Sequence, residues 1–185
     1  MTARRIMCGP RVDGREPSGT IAPAEAGLRL TGRGKALNLP WNHSGKTMKR
    51  LLHKHTKVKR GAHGLGLFAT GPIKKGEVVA EYWGPIITDA EVQKRQGRYF
   101  FELENDMAID GSPRGNVARY INHSCSPNCE PIEDVKNQRV FVHARRAIRE
   151  GEEFGYDYGR EYWDEYIKPI GCRCGCGGKG PKRWR

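Results

Sequence analysis

The chain has 185 residues, 37% of them hydrophobic, which is enough for one domain with a modest core and tails. No apolar run approaches the length of a transmembrane helix, and Met1 to Pro10 contain no apolar segment of the kind that a secretory signal requires. We therefore expect an intracellular protein without a membrane span, in the cytoplasm if its source is bacterial and in the nucleus if its source is eukaryotic.

The net charge of +12 is unevenly distributed along the chain. Lys and Arg outnumber Asp and Glu by 14 to 3 in residues 1–60 and by 5 to none in residues 172–185. Residues 61–171 hold 14 basic and 18 acidic side chains. Basic tails favour contact with nucleic acid or another polyanion, and a mildly acidic body favours a cationic substrate. The alternative is that the tails are only solvated.

The first 50 residues differ in composition from the rest. They are basic, rich in Pro and Gly, and show no helical or strand period, so we expect an arm without regular structure. Ordered structure is expected from Leu51, with a strand near Val58 to Arg60. Gly61, Gly64 and Gly66 follow, and then a strand rather than a helix, which excludes the dinucleotide-binding fingerprint. Such a Gly pattern does allow a ligand to approach the backbone closely.

The body continues as short apolar stretches separated by turns. A strand is predicted from Val78 to Gly84 and through Ile86 and Ile87, and Thr88 is predicted to cap the one good helical window, Asp89 to Gln96. Further strands are predicted at Tyr99–Leu103 and Met107–Asp110, which form a hairpin, and at Gln138–Ala144. Many short strands with one short helix indicate a mainly β domain.

The stretch from Arg119 to Cys129 holds an unusual number of reactive and polar side chains. Two Asn, one His, two Ser and two Cys follow Ile121 within eight residues. Asn and Ser hydrogen-bond to nearby backbone, and Pro127 lacks an N–H, so the chain should leave a buried element at Ile121 and form an ordered polar loop. The simple interpretation is a turn, and the sharper one is a loop that holds a polar ligand.

Four motifs stand in a fixed order along the body, and a Cys segment follows them. The motifs are Gly64-Leu65-Gly66, Glu81-Tyr82-Trp83-Gly84, Arg119 to Asn128, and Glu152 to Tyr158, followed by Cys172-Arg173-Cys174. With these motifs in this order, the sequence resembles the SET-domain protein-lysine methyltransferases with a post-SET segment, and its stand-alone format is similar to that of compact bacterial members.

The resemblance implies a SET-domain fold of small β-sheets in which the Asn122-His123 segment and the Tyr156–Tyr158 segment are threaded together as a pseudoknot. On that basis we divide the chain into a basic arm (1–50), the SET domain (51–160) and a Cys/Gly-rich basic tail (161–185). It also implies S-adenosylmethionine as the cofactor and a protein lysine as the methyl acceptor. The cofactor-binding residues carried over are His63, Gly64, Leu65, Gly66, Tyr99, Arg119, Asn122 and His123.

Three tyrosines are the implied catalytic residues: Tyr158 as the catalytic tyrosine, Tyr82 in the lysine channel, and Tyr156. Methyl transfer to an amine is an in-line displacement, so alignment and electrostatics should supply most of the rate. The family carries Phe or Tyr at the position of Tyr156. A Tyr hydroxyl there occupies space that further methyl groups need, so we expect mainly monomethyl product.

The resemblance also implies one structural zinc ion held by four cysteines. Cys125, Cys172 and Cys174 match the family pattern, but the fourth position falls on Lys179, which cannot replace a thiolate. Cys176 is the candidate substitute because Gly175 and Gly177 make its loop pliable. The alternative is that zinc binds weakly or not at all.

The function implied is methyl transfer to the lysine of a basic protein such as a histone. Two alternatives stay open. One is an inactive SET-like module that binds DNA or chromatin through its basic tails, and the other is methylation of a non-histone ribosomal or nucleoid protein. The presence of Tyr82, Asn122, His123 and Tyr158 argues against loss of activity.

Overall fold

The computed structural model describes residues 6–8, 50–62, 64–95, 99–104, 106–177 and 179–181. Most regular structure in this part of the chain is strand, with a few short helical segments, which confirms the mainly β expectation. Nearly all of the expected basic arm, together with His63 and Gln96, lies outside the described residues. No helix among the described residues is long and apolar enough to cross a membrane.

Eleven strands are described, and none has more than six residues. They are β1 (Ile6–Cys8), β2 (Thr56–Gly61), β3 (Gly64–Ala69), β4 (Val78–Tyr82), β5 (Ile86–Thr88), β6 (Tyr99–Glu102), β7 (Met107–Asp110), β8 (Asn122–His123), β9 (Cys129–Asp134), β10 (Arg139–Ala144) and β11 (Gly155–Tyr156).

The strands form four small sheets with the orders β1-β6-β7-β5, β4-β10-β9, β8-β11 and β2-β3. All pairs are antiparallel except β8 with β11, which are parallel. The short strand β1 was not indicated by the composition of its segment. Two turns of similar sequence, at 72–77 and 147–152, are also paired, since the backbones of Ile73 and Ile148 exchange hydrogen bonds of 3.0 and 2.9 Å.

The expected continuation of β4 through Ile86 and Ile87 is wrong. The strand ends at Tyr82, and β5 joins a different sheet by pairing with β7. Gly84 is the reason, because a Cβ there would lie 1.8 Å from the carbonyl oxygen of Asp110. Only glycine permits the two backbones to approach this closely, so the chain leaves one sheet and enters the next at this point.

The predicted helix is present as α1 (Asp89–Lys94), and its start is as expected. The Thr88 hydroxyl accepts a bond from the Glu91 N–H, and the Glu91 carboxylate accepts one from the Thr88 N–H, which is a complete capping box. A second helical segment was not predicted. It begins as one α turn (Arg160–Tyr162), widens to π geometry (Trp163–Ile167) and ends as a 3-10 turn (Lys168–Ile170).

One main core joins most of these elements. Its buried residues include Leu67 on β3, Val79 and Ala80 on β4, and Val140 and Val142 on β10. The aromatic side chains Tyr82, Phe154, Tyr156, Tyr158, Tyr162 and Trp163 belong to the same cluster. The three predicted catalytic tyrosines, Tyr82, Tyr156 and Tyr158, are thus packed within the core of the protein.

Candidate active site and thiol cluster

The centre of the site is the parallel pair formed by β8 and β11. Asn122 pairs with Gly155 and His123 with Tyr156, as the resemblance implied for these two segments. Ser124 N–H donates to the Tyr156 carbonyl at 2.9 Å and extends the pairing by one residue. A Cβ on Gly155 would lie 2.7 Å from Ser124 Cβ, so glycine is needed where the segments meet. Segments more than 30 residues apart in sequence are thereby held side by side.

Asn128 also stabilises the junction of β8 and β11 by hydrogen bonding. Its buried amide donates to the Glu153 carbonyl at 2.9 Å and accepts from the Gly155 N–H at 2.9 Å. Its own N–H donates to the Gly155 carbonyl at 3.1 Å. These three hydrogen bonds fix the start of β11, because Asn128 and Gly155 are buried and would leave polar groups unsatisfied if the bonds were lost.

Tyr158 is buried, and its position is defined at two points. The hydroxyl donates to the carbonyl of Ile121 at 2.7 Å, and the backbone N–H donates to Nδ1 of His123 at 3.3 Å. Its ring lies 5.0 Å from the ring of Tyr156, which is also buried, and 5.2 Å from the ring of Tyr162. The structure therefore brings two of the three predicted catalytic tyrosines into contact.

Tyr82, the third predicted catalytic tyrosine, lies in the same core at the end of β4. Its hydroxyl donates to the carbonyl of Tyr99 at 2.8 Å, and its ring lies 5.5 Å from that of Phe101. Gly111 leaves room for it, because a Cβ there would lie 2.3 Å from the Tyr82 hydroxyl. The hydroxyl thus sits where β6 and the turn after β7 meet.

The Gly64-Leu65-Gly66 segment lies at the start of β3, beside the polar loop. The amide of Asn122 donates to the Leu65 carbonyl at 3.1 Å and to Oε1 of Glu153 at 2.7 Å. Gly64 has a φ of 114°, which favours glycine, and nothing would crowd a side chain there. At Gly66, in contrast, a Cβ would lie 2.3 Å from Glu153 Oε1, so this glycine makes room for the Glu153 carboxylate.

Two further predicted cofactor-site residues stack on each other. The guanidinium carbon of Arg119 lies 3.7 Å from the centre of the Tyr99 ring, and Arg119 also donates to the carbonyl of Ser112. Arg119 belongs to the 3-10 turn Val117–Tyr120, which contacts β3. Tyr99, Arg119, Asn122 and Leu65 therefore stand on neighbouring segments, and all are at least partly exposed.

The four predicted metal ligands form one cluster. The Sγ atoms of Cys125, Cys172, Cys174 and Cys176 all lie within 4.8 Å of one another. A tetrahedral zinc site with Zn–S bonds of about 2.3 Å has sulfur atoms about 3.8 Å apart, and the Cys125–Cys172 and Cys172–Cys174 distances are 3.6 and 3.2 Å. The donor set therefore fits a divalent metal ion, and Cys176 takes the place that the family spacing gives to Lys179.

The thiols of this cluster differ in pKa. Burial raises the pKa of Cys125 far above its ordinary value and that of Cys172 to about 12. Burial acts in the same direction on Cys176, but hydrogen bonds from the neighbouring thiols outweigh it and lower its pKa to about 6. One thiolate is thus favoured, and a bound cation is what allows the others to ionise as well. Cys129 lies apart, with burial raising its pKa to about 12.

Three polar residues that the structure places at or beside the candidate site were not singled out from the sequence. Glu153 holds Asn122, Asn128 holds the β8–β11 junction, and Glu81 is a carboxylate buried beside Tyr82. Glu81 receives both arms of Arg139, at 3.1 and 3.0 Å, and one bond from Arg50 at 3.0 Å. The available signal was the position of Glu81 and Glu153 inside two of the motifs, next to residues that were assigned roles.

Comparison with known proteins identifies related chains. Residues 64–159 match the model of the SET domain family. The histone-lysine N-methyltransferase trithorax of Drosophila virilis is 35% identical over 163 residues, which cover 82% of this chain. Human histone-lysine N-methyltransferase 2B is 36% identical over 162 residues, again 82% of this chain. Mouse histone-lysine N-methyltransferase EHMT1 is 37% identical over 123 residues, or 60% of this chain.

These relatives are much longer proteins. The aligned regions span 4%, 6% and 10% of their respective lengths. What is shared is therefore the segment that contains the paired strands, the buried tyrosines and the polar loop. The match over residues 64–159 shows that the chain belongs to the SET-domain family.

Proposed function

We propose that this protein transfers a methyl group from S-adenosylmethionine to the ε-amine of a lysine in a basic protein, with histones as the leading substrate class. The observation that carries the proposal is the placement of Tyr158. Its hydroxyl is fixed to the Ile121 carbonyl at the junction of β8 and β11. The names of the relatives, all histone-lysine N-methyltransferases, support the same activity and substrate class.

The surface beside β3 suits the proposed cofactor. It combines the open backbone at Gly64, the carboxamide of Asn122 and the stacked pair of Arg119 and Tyr99. Backbone groups, an amide and a cation over an aromatic ring are the donors and faces that a zwitterionic nucleoside requires. When bound, S-adenosylmethionine supplies an electrophilic methyl group on a positively charged sulfur. Asn122, together with Leu65, would hold the cofactor in place.

The buried tyrosines suit the other reactant. A lysine ammonium has a pKa of about 10.4 in water and must lose its proton before the nitrogen can attack. An aromatic pocket disfavours the charged amine through desolvation. Tyr82, Tyr156 and Tyr158 would provide that pocket, and their hydroxyl oxygens would orient the amine lone pair by hydrogen bonding. Tyr156 would also limit the product mainly to monomethyl-lysine, because its hydroxyl occupies space beside the amine.

The four-cysteine cluster would hold one structural zinc ion. Its sulfur geometry supports this assignment, and a closed four-thiolate site leaves no open position for chemistry. Cys125 comes from the loop after β8, whereas the other three cysteines follow the helical segment. The ion would therefore fasten the C-terminal segment to the site. Metal analysis of the purified protein tests this, and a content well below about one zinc per chain would retire the assignment.

Label transfer tests the activity itself. Purified full-length protein is incubated with S-adenosylmethionine labelled on the methyl group, together with core histones and, in a separate reaction, cell lysate. We expect label on a basic protein, at lysine after acid hydrolysis. Label on a ribosomal or nucleoid protein but not on histones would move the substrate to that class. No transfer to any protein would favour the alternative of a module that binds DNA or chromatin through its basic tails.

A further inference from the structure

The imidazole of His123 contacts both the thiol cluster and the backbone of Tyr158. Nδ1 lies 3.3 Å from the backbone nitrogen of Tyr158, and Nε2 lies 3.3 Å from Sγ of Cys125. The ring is packed between Tyr158, edge-on at 5.5 Å, and Trp163 at 5.6 Å. The resemblance implies a role for His123 in cofactor binding, which stays a prediction; the two nitrogens of its side chain contact Tyr158 and Cys125.

The direction of the two hydrogen bonds follows from their partners. A backbone N–H can only donate, so Nδ1 of His123 is the nitrogen without a hydrogen. A neutral imidazole then carries its hydrogen on Nε2, which points to the Cys125 sulfur. An N–H group aimed at a sulfur stabilises the thiolate form, and such a contact is typical of the outer shell of a metal site.

We propose that His123 is a positioning residue that couples the four-cysteine site to Tyr158. The proposal rests on the proposed function, because Tyr158 matters to catalysis only if the protein is a methyltransferase. Ligation that fixes the Cys125 sulfur also fixes Nε2, and the rigid ring transmits this constraint to Nδ1 and the Tyr158 backbone. Together with the bond from the Tyr158 hydroxyl to the Ile121 carbonyl, this constraint fixes Tyr158 at both its backbone N–H and its hydroxyl.

The packing around the His123 ring supports mechanical coupling between Cys125 and Tyr158. Trp163 forms one wall, and the chain at Gly180 closes over it, because a Cβ on Gly180 would lie 3.1 Å from the Trp163 ring. Cys125 N–H also donates to Sγ of Cys174, at 3.4 Å. A ring held by walls on two sides and by hydrogen bonds at both nitrogens has little freedom to reorient without moving its partners.

Two substitutions separate the two ends of the imidazole. In His123→Asn the amide oxygen can replace Nδ1 and accept from Tyr158, but nothing reaches Cys125. In His123→Gln the amide nitrogen can replace Nε2 and donate to Cys125, but the acceptor for Tyr158 is lost. His143→Asn is the matched control, because the His143 ring contacts the Gly76 carbonyl and no cysteine.

Zinc affinity is measured by competition with a chromophoric chelator, and kcat and KM are measured on the zinc-saturated full chain. We expect His123→Asn to raise the zinc dissociation constant about 10- to 100-fold and His123→Gln to leave it near the wild-type value. We expect the opposite order for kcat, with the larger loss in His123→Gln and the KM for S-adenosylmethionine little changed. Equal zinc affinities in the two variants, or equal losses of kcat, would overturn the proposal.

A measurement on the wild-type protein covers the case in which a variant does not fold. Nitrogen NMR of the histidine side chains, with an NMR-active cadmium isotope in place of zinc, reports the tautomer and any coupling across the N–H···S bond. We expect His123 to carry its hydrogen on Nε2 and to show coupling to cadmium, and a hydrogen on Nδ1 would refute the proposal. The zinc and NMR experiments need no methyl transfer, so they remain informative if the proposed activity is absent.

Discussion

Glu81 and Arg139 form a two-pronged ion pair at the edge of the core. Arg139 Nε lies 3.1 Å from Oε1 of Glu81, a second guanidinium nitrogen lies 3.0 Å from Oε2, and the Glu81 side chain is only 1% exposed. Arg50 adds a third bond, to Oε1, and Leu51 N–H also donates to the carboxylate, at Oε2. The pair therefore fastens residues 50 and 51 to β4, next to Tyr82.

Replacing Glu81 with Gln should destabilise the protein by about 3 kcal/mol, because two arginines lose their anionic partner in a poorly solvated site. Chemical denaturation followed by circular dichroism measures the change. Asp164→Asn is the control, since Asp164 pairs with Arg160 and Lys168 on the surface, where such pairs contribute less than about 1 kcal/mol. A loss no larger than that of the control would contradict this account of Glu81.

The same carboxylate predicts a pH dependence. Burial alone would raise the pKa of Glu81, but hydrogen bonds from Arg139 and Leu51 and the charges of both arginines outweigh it and lower the pKa below its ordinary value of 4.5. A lowered pKa in the folded state means that the stabilisation is complete above pH 4.5 and is lost as the pH falls through the folded value. The stability difference between wild type and Glu81→Gln should therefore shrink in acid, and a difference that grows would refute it.

Asn128→Ala should also destabilise the protein, by roughly 3 kcal/mol, because the buried Gly155 N–H and the partly buried Glu153 carbonyl lose their partners. Asn137→Ala removes an amide that bonds Asp134 on the surface, and it should cost less than about 1 kcal/mol. Thermal unfolding of the two variants side by side gives the comparison. Equal effects would mean that the β8–β11 junction does not depend on the Asn128 amide.

Asn122→Asp tests the amide at the proposed cofactor site. The substitution places a second carboxylate where the amide now donates to Glu153 Oε1 at 2.7 Å, so like charges would meet. We expect affinity for S-adenosylmethionine, measured by calorimetric titration, to fall about 10-fold or more. In the double variant Asn122→Asp with Glu153→Gln, an amide at position 153 can donate to the carboxylate at position 122. This variant should recover part of the affinity. If the double variant recovers no affinity, Glu153 does not contribute to cofactor binding through Asn122.

Tyr156→Phe tests the predicted product. Removing the hydroxyl frees space beside Tyr158, so the variant should release more di- and trimethyl-lysine than wild type. Mass spectrometry of a methylated histone peptide over time measures the distribution. The ring is retained, which preserves the packing at 5.0 Å against Tyr158. An unchanged distribution would mean that another group limits the product.

Family resemblance, together with local pattern in the sequence, was sufficient to predict several parts of this site. The Asn-His-Ser-Cys loop and the Tyr156–Tyr158 segment were identified as neighbours by resemblance, and they pair in parallel. Cys176 was proposed as a ligand because of its flanking glycines, and Gly175 and Gly177 have φ values of 84° and 64°. These positive angles let cysteines two residues apart turn towards one centre.

Other parts depend on contacts that local pattern does not contain. The motif that contains Glu81 does not indicate its partner, because Arg139 is 58 residues away in the sequence. The pairing of β10 with β4 brings them together. The helical segment after Gly159 was missed for another reason. It has only 11 residues and changes from α to π to 3-10 geometry within them, so the helical spacing of its buried residues Trp163 and Ile167 is not repeated over further turns.

The most direct test of the proposed activity is methyl transfer by Tyr158→Phe, which keeps the ring and removes only the hydroxyl that bonds Ile121. Tyr166→Phe, the same change at a tyrosine that is 40% exposed, is the control. With S-adenosylmethionine and histone substrate at saturation, we expect kcat to fall at least about 100-fold in Tyr158→Phe and to stay near wild type in Tyr166→Phe, with cofactor binding retained in both. Full activity of folded Tyr158→Phe would contradict the assignment of Tyr158 as the catalytic tyrosine.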